Sequence, residues 1–425
     1  MANVEIDGVN SKVYTDQVDP KTGTTLTLGT SGDTVSIPSG VTITNSGTDG
    51  GGFGITSSSF LPTANPLIIN GDMAVAQRGT SVTGSTTVGY TSVDRMQMQI
   101  GSIGTYTQIQ ETLTSGAAYE AGFSKAFRID CTTADASPAN TDYLLLNYQI
   151  EGQDVQMFKK GTSSAETYTL AFWVKSNKTG TAQVNVRDDN NRMCSPTYTI
   201  SSADTWEHKV LNIPADTTGT IDDDNSAGMQ LQFWLDAGSN YTGGTAPTAW
   251  ETKAPTDEAA NNLSLADSTS NDWAITGIQF EVGTYTSSTL PPFRHESYGD
   301  NLQRCSRYYQ RAQAASDAYK HFGLYFCAVD SGGTSYGTAA IPLVTTMRAI
   351  PTLGTTGSVS DYEVVSANTG RACTTLSVDT GIDDGTINGL FYINAYTGTG
   401  ITGGNAGALR AGNTADAFIA LDAEL

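Results

Sequence analysis

Residues able to do covalent or metal chemistry are few and scattered in this 425-residue chain. The three histidines, His208, His295 and His321, fall in no H-E-x-x-H pattern, and no G-x-S-x-G follows a strand into a helix. Neither a metallohydrolase centre nor a nucleophile elbow is therefore encoded. Glycoside cleavage needs two carboxylates at a set separation in space, and spacing along the chain singles out no pair among 43 acidic residues. The sequence predicts a protein that is not an enzyme, with no catalytic residues and no cofactor. The acidic turn Asp222-Asp223-Asp224-Asn225 and the pair Asp383-Asp384 gather the oxygen ligands that calcium prefers. Both lack the loop spacing and distal glutamate of a dedicated calcium loop, so a solvated turn is the reading, with Ca2+ as the weaker alternative. What remains is recognition by aromatic rings. Trp250 sits in a loop beside Tyr241 and Pro247, and Tyr336 and Tyr396 sit among Gly, Ser and Thr at expected loop tips. A rigid ring among adaptable hydroxyls can stack on the apolar face of a sugar, so these four are the glycan-binding candidates. Trp173, Trp234 and Trp273 lie in strand-like runs and are assigned to the core, and Trp206 opens a strand.

The elements that must position these residues are strands. Forty-five glycines, sparse charge (15% DEKR) and 19 tyrosines against 13 phenylalanines describe short strands joined by many turns, an all-β sandwich class. The length calls for more than one core. A net charge of −21 repels nucleic acid and bare anionic membranes. No apolar run is long enough to span a bilayer, so neither nucleic-acid binding nor membrane insertion is expected. Cys131, Cys194, Cys305, Cys327 and Cys373 show no C-x-x-C spacing and are expected as buried free thiols made in a reducing cytosol. The opening residues lack the basic and apolar regions of a signal peptide, so release by lysis rather than secretion is the expectation.

The chain reads in four parts. Residues 1–60 carry apolar pairs at i, i+2 (Leu26/Leu28, Val35/Ile37, Val41/Ile43) on strands too short to bury a core alone. Three copies wound together would bury them, which predicts a trimeric β stalk with a particle-anchoring segment before it. Residues 61–296 alternate as a jelly-roll sandwich that ends in Trp273–Gly283, where the phase slips at Gly277 and a bulge or close approach is expected. Pro291-Pro292 ends the strand system. Leu302, Cys305, Tyr309 and Ala312 recur at steps of three and four, predicting one connecting α-helix over 297–315 capped by Ser297. Residues 316–425 read as a smaller C-terminal β-sandwich whose loops form a tip.

Several segments, in order, resemble the tail-fibre-like virion proteins of bacteriophages, particularly those of marine cyanobacterial hosts. They are Asn65–Met73 with Gln77-Arg78-Gly79, Asp94-Arg95, Phe172–Ser176, Ile275–Gly283, Pro292-Phe293-Arg294, Cys305–Tyr309, and Met347-Arg348 with Pro351-Thr352. Such proteins often have tryptophan after the Asp-Arg pair, where this chain has Met96. The resemblance implies a homotrimeric structural protein of the virion with a carbohydrate-binding-like jelly roll and no catalytic residues. On this reading the N-terminus meets other virion proteins, and the C-terminal loops meet a bacterial surface polysaccharide. The rival readings are a tailspike-like polysaccharide depolymerase and a head-surface fibre or decoration protein that binds no receptor.

Overall fold

The computed structural model describes residues 66–313, 327–330, 335–378, 386–387, 389–398, 400–401, 406–412 and 417–425. The chain divides into two units, Met1–Pro62 and Thr63–Leu425. The stalk and anchor expected over 1–60 lie outside the described residues.

The second unit is all-β and begins with a two-sheet antiparallel sandwich. Its strands are β1 (Ser81–Ser85), β2 (Gly89–Tyr90), β3 (Gln97–Gly101), β4 (Thr105–Thr112), β5 (Lys125–Thr133), β6 (Tyr143–Glu151) and β7 (Tyr168–Ser176), followed by β8 (Gly180–Asp188), β9 (Arg192–Cys194), β10 (Thr197–Ile200), β11 (Glu207–Ile213), β12 (Ala227–Ala237), β13 (Glu251–Thr252) and β14 (Asp272–Val282). One sheet runs β1-β4-β5-β14-β7-β11, the other β13-β9-β8-β12-β6-β3-β2 with β10 on β8. Period-two alternation builds the core between them. Leu170, Phe172 and Val174 of β7 and Trp273 and Ile275 of β14 face Val184, Val186, Leu231 and Phe233, all fully buried. The phase slip at Gly277 is a bulge: the β14–β7 register shifts between Thr276 and Gln279. Gly277 has φ +63°, and a Cβ there would lie 2.6 Å from the Phe123 ring, so only glycine fits.

The helix is shorter than the spacing predicted. It spans Tyr298–Cys305, with Ser297 capping it by accepting from the Asp300 amide at 3.2 Å. Beyond it, Tyr309 and Ala312 belong to a strand, β15 (Tyr309–Gln313), paired with the chain's last strand. The three-and-four repeat there is coincidental. Only Leu302 and Cys305 use the helical face, packing with Ile69, Val75 and Tyr308.

The C-terminal part is a second sandwich. Its strands are β16 (Cys327–Asp330), β17 (Ser335–Pro342), β18 (Thr352–Thr355), β19 (Tyr362–Ser366), β20 (Thr369–Ala372), β21 (Thr375–Val378), β22 (Thr386–Ile387), β23 (Leu390–Gly398), β24 (Ala406–Ala411) and β25 (Phe418–Asp422). The sheet β15-β25-β18 packs on the sheet β20-β19-β24-β16-β17-β23-β21, to which β22 adds through β23. Tyr362, Val364, Phe391, Ile393, Leu409, Ile419 and Leu421 fill the space between them.

Arginines tie the two sandwiches together, two of them with buried side chains. Arg95, 1% exposed, stacks 3.5 Å from the Tyr308 ring centroid, donates to the Gln149 carbonyl at 2.6 Å and pairs with Glu424. Arg78 lies 3.6 Å from the Tyr309 ring and pairs with Asp422 at 3.0 Å and Glu424 at 3.2 Å. Arg307 grips Glu151 with two bonds of 2.7 Å. The buried charges of Arg95 and Arg78 need such partners. Among the described residues no helix is long and apolar enough to cross a membrane. Cys131, Cys194 and Cys305 are buried free thiols, as expected; Cys373 is buried, and the Cys327 side chain lies outside the described residues.

Candidate functional site: an aromatic groove on the outer face of the first sheet

The strand β7 has two faces of different kinds. Leu170, Phe172 and Val174 point into the sandwich, so Ala171, Trp173 and Lys175 point out of it. Trp173 is half-buried, a correction to its assignment to the core. Directly opposite on β11 stands His208, and the two rings stack at 4.9 Å and 27°. Neighbouring β14 presents Gln279, just past the bulge, on the same outer face. Over this floor folds the segment after β14, where Pro291-Pro292 carries the chain out of the ladder and turns Phe293 back toward the sheet. Phe293 meets Phe123 edge-on at 4.8 Å and His295 at 4.9 Å.

These elements enclose a groove of about 410 Å³. Trp173 and His208 lie on one side of it, Phe123, Phe293 and His295 on the other, with Gln279 between. Gln279 is held by its own amide, which donates to the Pro291 carbonyl at 3.0 Å and to Glu281 at 3.1 Å. None of the lining residues carries a carboxylate, ammonium or guanidinium group. Burial lowers the His208 pKa below its ordinary 6.5, which keeps the ring neutral at pH 7. The groove is apolar, aromatic and uncharged, with imidazole, amide and hydroxyl groups at its edges, the make-up of a pocket for a neutral amphipathic ligand. A larger cleft of about 790 Å³ lies beside the helix, but its two arginines are engaged, Arg304 with Glu296 and Arg307 with Glu151.

The residues singled out in the sequence sit elsewhere. Trp250 is 9% exposed: its indole N–H donates to the Pro214 carbonyl at 2.8 Å, and the Lys160 ammonium lies 4.1 Å from its ring centroid. That ring is a core element and presents no face to a ligand. Tyr241 is half-buried against Trp234 at 5.3 Å and Tyr143 at 5.9 Å. Tyr336 and Tyr396 are on strands β17 and β23 rather than at loop tips, directly opposed, with ring centroids 5.2 Å apart. Trp206 is buried just before β11, below Lys175 at 5.3 Å. Asp222, Asp223 and Asp224 form an exposed turn in which the Asp224 carboxylate accepts from the Ser226 amide at 2.8 Å. Among the described residues no group of three or more His, Cys, Asp or Glu side chains converges as metal ligands would. Asp383 and Asp384 lie outside the described residues.

The groove was legible in one respect. Lys175, two residues after Trp173, marks that face of β7 as outward, because a lysine is rarely buried without a partner.

No protein-family model matches the chain, and no curated protein does. Solved structures with partial likeness include the enzymatically active domain of bacteriophage CBA120 tailspike protein 4, at 11% identity and TM-score 0.25 over 51% of this chain and 21% of that one. This chain thus spans about a fifth of the tailspike domain's length. A carbohydrate-binding module of family 29 matches at 11% identity and TM-score 0.25, over 51% of this chain and 98% of the module. The N-terminal cellulose-binding domain of Cellulomonas fimi β-1,4-glucanase C matches at 13% identity and TM-score 0.23, over 52% of this chain and 100% of that one. Scores of this size carry no functional argument, and what the chain does has to be read from its own surfaces.

Proposed function

We propose that the protein is a structural fibre component of a bacteriophage particle that adheres to a host surface glycan, and that the outer-face groove of the first sheet holds the sugar. The observation that carries the binding half is the groove itself: a half-exposed tryptophan braced by a neutral histidine, facing a phenylalanine pair, with no charged residue in the lining. Rings of this kind stack on pyranose faces, and a neutral groove suits a glycan met through hydroxyls. The absence of carboxylates from the lining counts against the depolymerase reading, since cleavage would need two of them around the bound sugar. The virion half rests on the resemblance of the ordered segments to tail-fibre-like proteins. Trimerisation through residues 1–60 would let three weak sites act together.

The test is adsorption. The full chain is expected to bind cells or isolated surface polysaccharide of a susceptible bacterium, release no reducing ends, and lose about 30-fold in affinity when Trp173→Ala removes about 2 kcal/mol of stacking. Undiminished adsorption by the variant would remove the groove from the proposal. New reducing ends would replace binding by cleavage.

A further inference from the structure

We infer that the outer face of the large C-terminal sheet is a second saccharide-binding surface, separate from the groove and specific for an uncharged glycan. On β17 and β23, Ala339, Ile341, Phe391, Ile393 and Ala395 are at most 5% exposed and anchor both strands to the core. The alternate positions face outward and are half-buried: Tyr336 and Thr338 on one strand, Tyr392, Asn394 and Tyr396 on the other. Tyr336 is opposed to Tyr396 and Thr338 to Asn394, so aromatic and polar rows lie side by side. The rings of the first pair are 5.2 Å apart and inclined at 35°, forming one continuous platform. The Thr338 hydroxyl donates to Asn394 Oδ1 at 2.7 Å, which fixes the amide and leaves its N–H donors without a partner among the described residues. The exposed Thr375 of β21, opposed to Tyr396, extends the surface by one strand.

Tyr392 and Tyr396 are four residues apart, about 13 Å at ~3.3 Å per residue, enough for a short oligosaccharide to lie along the strand. All six outward side chains are uncharged, in a chain that carries 43 acidic against 22 basic residues. The charges of this sheet lie beside these three strands, Asp330 of β16 at the position opposite Tyr336 and Glu363 paired with Arg410 farther along, whereas the hydroxyls, amide and ring faces of β17, β23 and β21 match a neutral sugar. β17 and β23 are each paired on both sides, so a ligand on them is bound through side chains and not by strand addition.

Affinity electrophoresis of the full chain through gels containing soluble glucan, galactan, xylan or mannan tests this, with Trp173→Ala as the background that silences the groove. The Trp173→Ala protein is expected to be retarded by at least one of the four polymers. Adding Tyr336→Ala and Tyr396→Ala is expected to weaken that retardation at least ~10-fold. Thr375→Lys, a single exposed change that leaves both tyrosines and the core intact, is expected to weaken it as well, which keeps the test valid if the double change unfolds the sheet. Free passage of Trp173→Ala through all four gels would overturn the inference, and so would retardation that survives Thr375→Lys in a protein with normal melting. A fall in native mass by light scattering on the tyrosine changes would also overturn it, by making the face a contact between copies. Equal retardation of the wild type and Trp173→Ala counts against the groove alone.

Discussion

Lys160 tests the energetics of the first sandwich, because its ammonium is buried at 1% exposure between two carboxylates that are buried as well. It pairs with Asp188 and, at 2.6 Å, with Asp216, while the Trp250 ring covers it at 4.1 Å. Asp216 has a second cation, Arg192, at 2.7 Å and 3.0 Å, and its pKa is held far below the ordinary carboxylate range by bonds from Arg192, Lys160 and Thr218 that outweigh its burial. Among the described residues Asp188 has only the Arg192 backbone amide besides the lysine. Lys160→Met fills the same volume and leaves Asp188 as an uncompensated buried charge, at a cost of about 3–5 kcal/mol. Contact between the methionine sulfur and Trp250 would recover about 1 kcal/mol at most. Urea unfolding followed by tryptophan fluorescence measures the loss. Adding Asp188→Asn to Lys160→Met removes the stranded charge and is expected to restore at least about 2 kcal/mol. A Lys160→Met protein within 1 kcal/mol of wild type, or a double variant no more stable than the single, would refute the argument.

Further predictions follow from the seam and from burial of carboxylates. Glu424→Ala leaves the fully buried Arg95 guanidinium without its counter-charge, and a loss of about 3–5 kcal/mol together with faster proteolysis between the sandwiches is expected; unchanged proteolysis would show that the seam is held by other contacts. Burial raises the pKa of Asp94 and of Asp236 from 3.8 to about 6. A raised folded-state pKa means that the native protein binds the proton more tightly, so these two groups add stability as pH falls from 7 to 5, about 1 kcal/mol each. His208, lowered by burial, opposes them in the same range. Asp216, Glu207 and Asp267, all lowered through bonds to cations, lose their contributions as pH drops below about 4. Thermal melts are therefore expected to peak near pH 5, with Asp236→Asn flattening the rise between pH 7 and 5; a maximum at pH 8 would contradict the assignment.

Local patterning made the strands and their class readable, and the glycine that breaks the phase of β14 marks its bulge because the backbone there needs φ +63° and space beside Phe123. Ser297 announced the helix start by the same local logic. The helix end was not local. Tyr309 and Ala312 continue a helical repeat, yet β25 offers Tyr309–Gln313 a complete ladder, and pairing with a strand more than a hundred residues away decides the matter. The faces of Trp173 and Trp250 were hidden for a related reason. Five consecutive apolar residues, Leu170–Val174, satisfy either phase of a strand; Lys175 is the one local sign of the phase, which the packing of Leu170, Phe172 and Val174 into the sandwich sets. Trp250 reads as a loop residue, and it is buried because Lys160, itself held by Asp188 and Asp216, lies over its ring, Tyr168 meets it edge-on at 6.3 Å and the Pro214 carbonyl takes its N–H. Some of the segments that carry the family resemblance form the seam, while Phe172–Ser176, Ile275–Gly283 and Pro292-Phe293-Arg294 contribute to the groove. Asn70 bonds the Val75 amide and carbonyl and the Asp94 carbonyl, Asp94 accepts from Gln77, Arg95 stacks on Tyr308, and Met96 is fully buried. These seam segments describe how the two sandwiches are joined.

The groove can be tested by fluorescence. Of the five tryptophans, Trp206, Trp234, Trp250 and Trp273 are at most 9% exposed, and Trp173 alone is half-exposed. Titrating the full chain with surface polysaccharide from a susceptible bacterium should change the tryptophan emission saturably. Trp173→Phe should abolish that change while keeping the fold. An emission change of equal size in the Trp173→Phe protein would place the sugar elsewhere and contradict the account.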